Sequence, residues 1–151
     1  KVTRKDFENL AKELSVPFET GADISLFRKT LINSKSDIAV SMNFPGIIPQ
    51  DIIDIFKLGI LNAHGGDLPR YRGNACHAWA IINGEEKLGL CIHKMKGSEL
   101  DSGDIIARDY LKIDSSTKTS DTWGWLEKRI PSLALEALNL LKNNNNYFLE
   151  K

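Results

Sequence analysis

The sequence predicts an α/β protein, a largely parallel open sheet with flanking helices, carried by one domain over residues 1–151. Three features lead there. Short apolar or alternating runs of strand length recur at 37–43, 59–63, 88–95 and 104–113. Segments with apolar residues at helical spacing separate most of them. Glycine and asparagine mark the joints, as at Gly59, Gly65-Gly66 and Asn83-Gly84. With 16–18 counted as a short strand, the order is α-β-α-β-α-β-α-β-β-α. Folds of this kind usually open on a buried strand and its turn, and none stands before Lys1.

Taken in order, Thr3 suits the N-cap of a helix whose Phe7, Leu10, Ala11 and Leu14 repeat at helical spacing. Pro17 biases Val16 away from helix, hence the extended piece. Asp23 caps a second helix carrying Ile24, Phe27 and Leu31. Residues 37–43 alternate Ile38, Val40 and Met42 with Ala39, Ser41 and Asn43, as in an interior strand with small residues on one face. After the turn-rich loop at 44–48, Pro49 suits the first position of a helix bearing Ile52, Ile53 and Phe56. The buried strand at 59–63 follows. Residues 74–83, with Cys76, Trp79 and Ala80, read as a helix closed by Asn83-Gly84. A short loop then joins the strands 88–95 and 104–113. The last helix, about 121–142, sets Ile130, Leu133, Ala134, Ala137, Leu138 and Leu141 on one face. Pro131 is expected to kink it or to start a new helix. Trp79, Leu133, Leu138 and Leu141 are expected to be mostly buried.

Composition narrows the function classes. Hydrophobic residues make up 42% and charged residues 26%, ordinary for a globular protein. Twenty Lys+Arg balance twenty Asp+Glu, so no broad electrostatic grip on nucleic acid is implied. Cys76 and Cys91 each sit in an apolar stretch and read as reduced, buried thiols, a disulfide between them being the alternative. No signal peptide opens the chain, and no run approaches the ~18 apolar residues of a membrane span. A cytoplasmic protein is expected.

Side chains two apart on a strand share a face, so Asn62 and His64 project together at the carboxyl end of the 59–63 strand, where ligands collect in α/β sheets. An amide donor, an imidazole and one carboxylate suffice to deprotonate an amine and hold an oxyanion. Taken singly, each residue has a plainer reading. An asparagine at a strand end is commonly a turn former, a histidine in an apolar run a satisfied core residue, and an aspartate in D-S-G-D a turn residue. Turn chemistry alone does not choose between Asp101 and Asp104. Cys76, His77, Cys91, His93 and His64 fit no metal-ligand spacing, so no metal is expected.

Four spaced motifs change the weighing. They are N-A-H-x-x-x-L-P-x-Y-R-G from Asn62, W-A-I-x-N-G-E from Trp79, H-x-M from His93 and L-D-S-G-D-I-I from Leu100. Together, over about 37–113, they make the chain resemble the formyl-tetrahydrofolate-dependent formyltransferases, the family of the methionyl-tRNA, glycinamide ribonucleotide and amino-sugar enzymes. The resemblance implies a Rossmann-like formyltransferase fold and transfer of a formyl group from formyl-tetrahydrofolate to a primary amine, without metal. It carries the family's functional roles to Asn62 as oxyanion donor, His64 as proton acceptor and Asp101 as the carboxylate that orients His64. The family's folate pocket, built largely of backbone from two loops, falls on 44–48 and 96–101. Phe44, Ile47, Ile48, Lys96 and Gly97 are therefore the expected folate-binding residues, with a plain core role open for the three apolar ones. Residues 68–73 would shape the rim, with Arg70 or Arg72 available to an anionic acceptor or else simply solvated.

The chain also departs from the family. Many members carry Ser-Leu-Leu-Pro where this chain has Gly66-Asp67-Leu68-Pro69, which puts the charge of Asp67 on the expected rim. The family's first strand-helix-strand is lacking, so the domain is expected to be N-terminally incomplete. The extra C-terminal domain of the tRNA enzyme is not expected either. With the neutral charge, these departures favour a small-molecule acceptor, an amino sugar linked to a nucleotide, over initiator tRNA. The alternatives are the catalytic domain of a methionyl-tRNA formyltransferase and a non-catalytic folate-binding remnant.

Overall fold

In the computed structural model, which describes residues 2–97 and 99–150, the chain divides into two units, Lys1–Ser36 and Asp37–Lys151. In the first unit Thr3 caps α1 (Arg4–Glu13) as expected. Asp6 turns back to accept from both the Thr3 amide and its hydroxyl, each at 2.7 Å. Residues 16–18 belong to no strand among the described residues, so the short β element expected there does not form. Asp23 does cap the next segment, accepting from the Ser25 N–H at 2.9 Å. That segment is a 3-10 turn, Ile24–Phe27, running into α2 (Arg28–Asn33), rather than one helix.

The second unit holds β1 (Ala39–Met42), α3 (Gln50–Ile53), β2 (Ile60–His64), α4 (Cys76–Ile82), β3 (Lys87–Lys94), β4 (Ile105–Lys112) and α5 (Thr119–Asn143). The strands form one open sheet in the order β1-β2-β3-β4. An α/β sheet with flanking helices is what the sequence predicted, but its sense is mixed. β1 and β2 are parallel, whereas β3 runs antiparallel to both β2 and β4. The link between β3 and β4 explains part of this: it is too short for the crossover of a dozen or more residues that a parallel pair requires. β1 is an edge strand among the described residues, not an interior one; Ser41 is buried while Val40 and Met42 are exposed.

α5 packs on β3 and β4, and the core lies between them. Leu61, Leu90, Ile92 and Ile106 from the sheet meet Leu126, Leu133, Ala137 and Leu141 from the helix. Each fully buried leucine contributes roughly 1.5–3 kcal/mol. Leu138, expected in this face, is only half-buried. α5 continues through Pro131 without starting a new helix, with Pro131 on its exposed side. Pro49 stands at the N-cap of α3, one place before the position expected. Trp79 corrects a second expectation. α4 buries Cys76, His77 and Ala80, which leaves Trp79 and Ile82, three apart, on the outer side; Trp79 is 54% exposed. No helix among the described residues is long and apolar enough to cross a membrane.

Candidate active site

β1 and β2 are parallel neighbours, so their carboxyl ends open onto the same space. Ser41, Asn62 and His64 line a cleft there of about 340 Å³, a size that takes a small organic ligand. The loop after β1 adds Phe44, Ile47 and Ile48, the loop after β3 adds Lys96 and Asp101, and α5 closes one side with Trp123, Leu126 and Ile130. Of the expected catalytic and folate-binding residues, Gly97 alone does not line the cleft. It is buried against the start of α3, its N–H donating to the Gln50 side-chain oxygen at 2.8 Å.

His64 is buried, with Nε2 2.7 Å from the Tyr71 carbonyl oxygen. A carbonyl only accepts, so Nε2 carries the proton. Nδ1 is left to face Asp101 Oδ1 at 3.5 Å. The other carboxylate oxygen of Asp101 accepts the Gly73 N–H at 2.8 Å. Asp101, not Asp104, stands against His64; Asp104 instead offers its carbonyl to the Lys94 N–H. The turn needs unusual backbone to do this, with Asp101 at φ +44° and Gly103 at φ +113°.

The Tyr71 carbonyl is held by the tip of its own loop. The Tyr71 hydroxyl donates to Glu85 at 2.7 Å and accepts from the Asn83 amide at 3.0 Å. Arg70 grips the same Glu85 carboxylate with both terminal nitrogens. The Tyr71 hydroxyl and Arg70 together hold the Glu85 carboxyl below the usual carboxylate range. Arg70 is thus engaged away from the cleft, while Arg72 is exposed and makes no hydrogen bond among the described residues. Asp67 is likewise no rim charge. It accepts from the Tyr110 hydroxyl at 2.9 Å and lies 3.8 Å from Arg108 Nε, outside the cleft. Gly66 is required beneath His64: a Cβ there would lie 2.6 Å from both His64 Nε2 and the Tyr71 oxygen.

Across the β2–β3 ladder, Asn62 Nδ2 lies 3.2 Å from His93 Nε2, and His93 Nδ1 lies 3.1 Å from the Ser102 carbonyl oxygen. His93 is fully buried, and burial followed by the nearby His64 pushes its pKa down. Burial also pushes the Cys76 thiol up, with the charge of Asp101 adding to it, so the sulfur 3.6 Å from His64 stays a thiol. Two buried polar atoms of cleft residues, Ser41 Oγ and His77 Nε2, have no partner among the described residues. Both cysteines are free and buried, and no cluster of three metal-ligating side chains occurs among the described residues. Sequence reasoning missed the Tyr71 carbonyl as a support of the site. The W-A-I-x-N-G-E and H-x-M motifs marked Glu85 and His93 without showing what they touch.

The sequence profile of a family described as Formyl transferase matches residues 23–139. A curated methionyl-tRNA formyltransferase from Prochlorococcus marinus is 34% identical over 145 residues, which is 94% of this chain and 43% of that protein. The chain spans less than half the length of such curated relatives, 43% and 45% for two of them. Among solved structures, a phosphoribosylglycinamide formyltransferase from Anaplasma phagocytophilum superposes with a TM-score of 0.79 at 19% identity, over 92% of this chain and 70% of the other. A formyltransferase from Anoxybacillus kamchatkensis, solved with UDP-4,6-dideoxy-4-formamido-L-AltNAc and tetrahydrofolate, superposes with a TM-score of 0.70 at 22% identity, over 99% and 78%. With the profile covering most of the chain, and Asn62, His64 and Asp101 gathered on one cleft, this protein belongs to the formyl transferase family.

Proposed function

We propose that this chain transfers a formyl group from formyl-tetrahydrofolate to a primary amine, with Asn62, His64 and Asp101 as its catalytic residues. The observation that carries the reading is the His64–Asp101 pair, with Nδ1 facing the carboxylate at 3.5 Å and both residues lining the same cleft as the Asn62 amide. Formyl-tetrahydrofolate supplies an electrophilic carbonyl carbon on a nitrogen leaving group. As the amine adds to that carbon, its proton passes to the His64–Asp101 pair, and the negative charge on the formyl oxygen is met by an Asn62 N–H. When the C–N bond to the folate nitrogen breaks, the pair returns the proton to that nitrogen, leaving a formamide on the acceptor. No metal is needed for this balance of protons and charge.

The cleft suits the folate. Phe44, Ile47 and Ile48 give an apolar wall for a flat ring, and the unpartnered Ser41 hydroxyl offers a hydrogen bond to its polar edge. Lys96 lines the cleft directly, and Gly97 serves the same loop by anchoring it on Gln50.

For the acceptor, the curated relatives favour methionyl-tRNA, the substrate in the name of the 34%-identical protein. The sugar-nucleotide reading loses the rim charge of Asp67 but keeps the zero net charge and the Anoxybacillus neighbour in its favour. The test is release of tetrahydrofolate on mixing formyl-tetrahydrofolate with each acceptor separately. Turnover with neither, or no calorimetric heat with a stable formyl-folate analogue on folded protein, would overturn the reading.

A further inference from the structure

We infer that His93 is a positioning residue for Asn62: it accepts a hydrogen bond from one N–H of the Asn62 amide and so leaves the other N–H to donate into the cleft. This rests on the formyl-transfer reading above and adds a requirement to it. The argument is one of donors and acceptors. The Ser102 carbonyl, 3.1 Å from His93 Nδ1, accepts only, so Nδ1 bears the hydrogen. His93 is wholly buried, and burial disfavours the doubly protonated ring, so Nε2 is left as a bare acceptor. Only the nitrogen end of the Asn62 amide can then face Nε2 at 3.2 Å. Turned over, the amide would set its oxygen where the proton-bearing nitrogen stands. It could then present an acceptor, not a donor, to the oxygen that gains charge.

The sheet is arranged to make this contact. Asn62 and His93 are direct partners across the β2–β3 ladder, and the register between β3 and β4 shifts at Ile92/His93. Such a shift re-aims a side chain. Ser102 follows Asp101 in the chain, so the same imidazole joins the oxyanion donor on β2 to the turn that carries the carboxylate.

The first measurement uses the unaltered, 15N-labelled chain, with the Asn62 side-chain amide identified by its loss in Asn62→Asp. Imidazole nitrogen shifts should show His93 with Nδ1 protonated and Nε2 bare; a proton on Nε2 overturns the inference. The second compares two substitutions. His93→Gln sets an amide group near the place of Nε2, whereas His93→Asn sets one near Nδ1 and keeps only the Ser102 bond. Against ~10²–10³ for losing an oxyanion donor outright, His93→Asn should lower kcat ~10–100-fold with the KM for formyl-tetrahydrofolate unchanged within about threefold. His93→Gln should recover roughly tenfold of that loss. Equal losses in the two variants, or a greater loss in His93→Gln, would show a structural role only. If the folded wild-type chain transfers no formyl group, the functional reading fails. The tautomer measurement then decides the Asn62–His93 arrangement by itself, as it does if both variants unfold.

Discussion

Replacing Gly103 by alanine tests whether one turn underlies both the fold and the site. Gly103 has φ +113°, and a Cβ built there would stand 1.9 Å from the Lys94 carbonyl oxygen. A carbon–oxygen contact settles at roughly 3.3–3.6 Å, so turn and strand must part by more than about 1 Å. Holding a side chain in this backbone region costs on the order of 1–3 kcal/mol. The bond from the Lys94 N–H to the Asp104 oxygen, 2.9 Å long, spans the same gap. Its loss adds about 1 kcal/mol. Together these give about 2–4 kcal/mol, or a fall in melting midpoint of roughly 4–16 °C for a domain of this size. The displaced turn carries Asp101, and misplacing a catalytic group by about 1 Å can cost ~10²-fold, so turnover of the folded variant should drop at least ~10-fold. Circular-dichroism melting and formyl transfer, both on the purified variant, read the two effects. Gly124→Ala is the control: nothing lies within 4 Å of its added Cβ on α5, and helix propensity predicts a gain of about 0.5–1 kcal/mol. A Gly103→Ala protein with an unchanged midpoint and full activity would refute the turn as described.

Asn62→Ala should cost ~10²–10³ in rate, and His64→Ala and Asp101→Asn should each remove most turnover while Asp104→Asn does not. Equal losses at Asp101 and Asp104 in single-turnover assays would sink the assignment. Because they act as one unit, His64→Ala combined with Asp101→Asn should be little worse than the more damaging single change. Leu133, 1% exposed, should lose roughly 2–5 kcal/mol on truncation to alanine, and half-buried Leu138 clearly less; equal shifts in urea midpoint would contradict the packing of α5. For His77, burial lowers the folded pKa below the ordinary 6.5, so the unfolded chain takes up the proton first. The contribution of His77 to stability is present above pH 6.5 and is lost as pH falls below it toward the folded pKa. His77→Phe keeps the ring against Trp123 and removes this loss; parallel stability curves for the two proteins below pH 6.5 would exclude the effect.

What could be read from the residues was whatever local chemistry records. Thr3 and the helical spacing of Phe7, Leu10, Ala11 and Leu14 announced α1, and glycines at 59 and 65 bounded β2 closely enough to place Asn62 and His64 at its end. Family motifs, and not turn chemistry, selected Asp101 over Asp104. Strand direction was not legible, since β2 and β3 are both short apolar runs whichever way they run. Trp79 misled because a short helix with apolar residues on two sides does not say which side is covered. Asp67 and Arg70 looked like free rim charges because their partners, Tyr110 and Glu85, stand 43 and 15 residues further along the chain. The Tyr71 carbonyl, which sets the tautomer of His64, is backbone and leaves no mark on residue type.

The connectivity of the cleft also sets when it comes into being. Asn62 meets His93 across 31 residues, and Gly73 meets Asp101 across 28. Contacts over such spans must first close a long loop, whereas the helical turns of α5 form locally in about a microsecond or less. During refolding from denaturant, helical ellipticity therefore rises ahead of folate binding. The pairing of β2 with β3, and with it the proposed site, forms only once such a loop has closed.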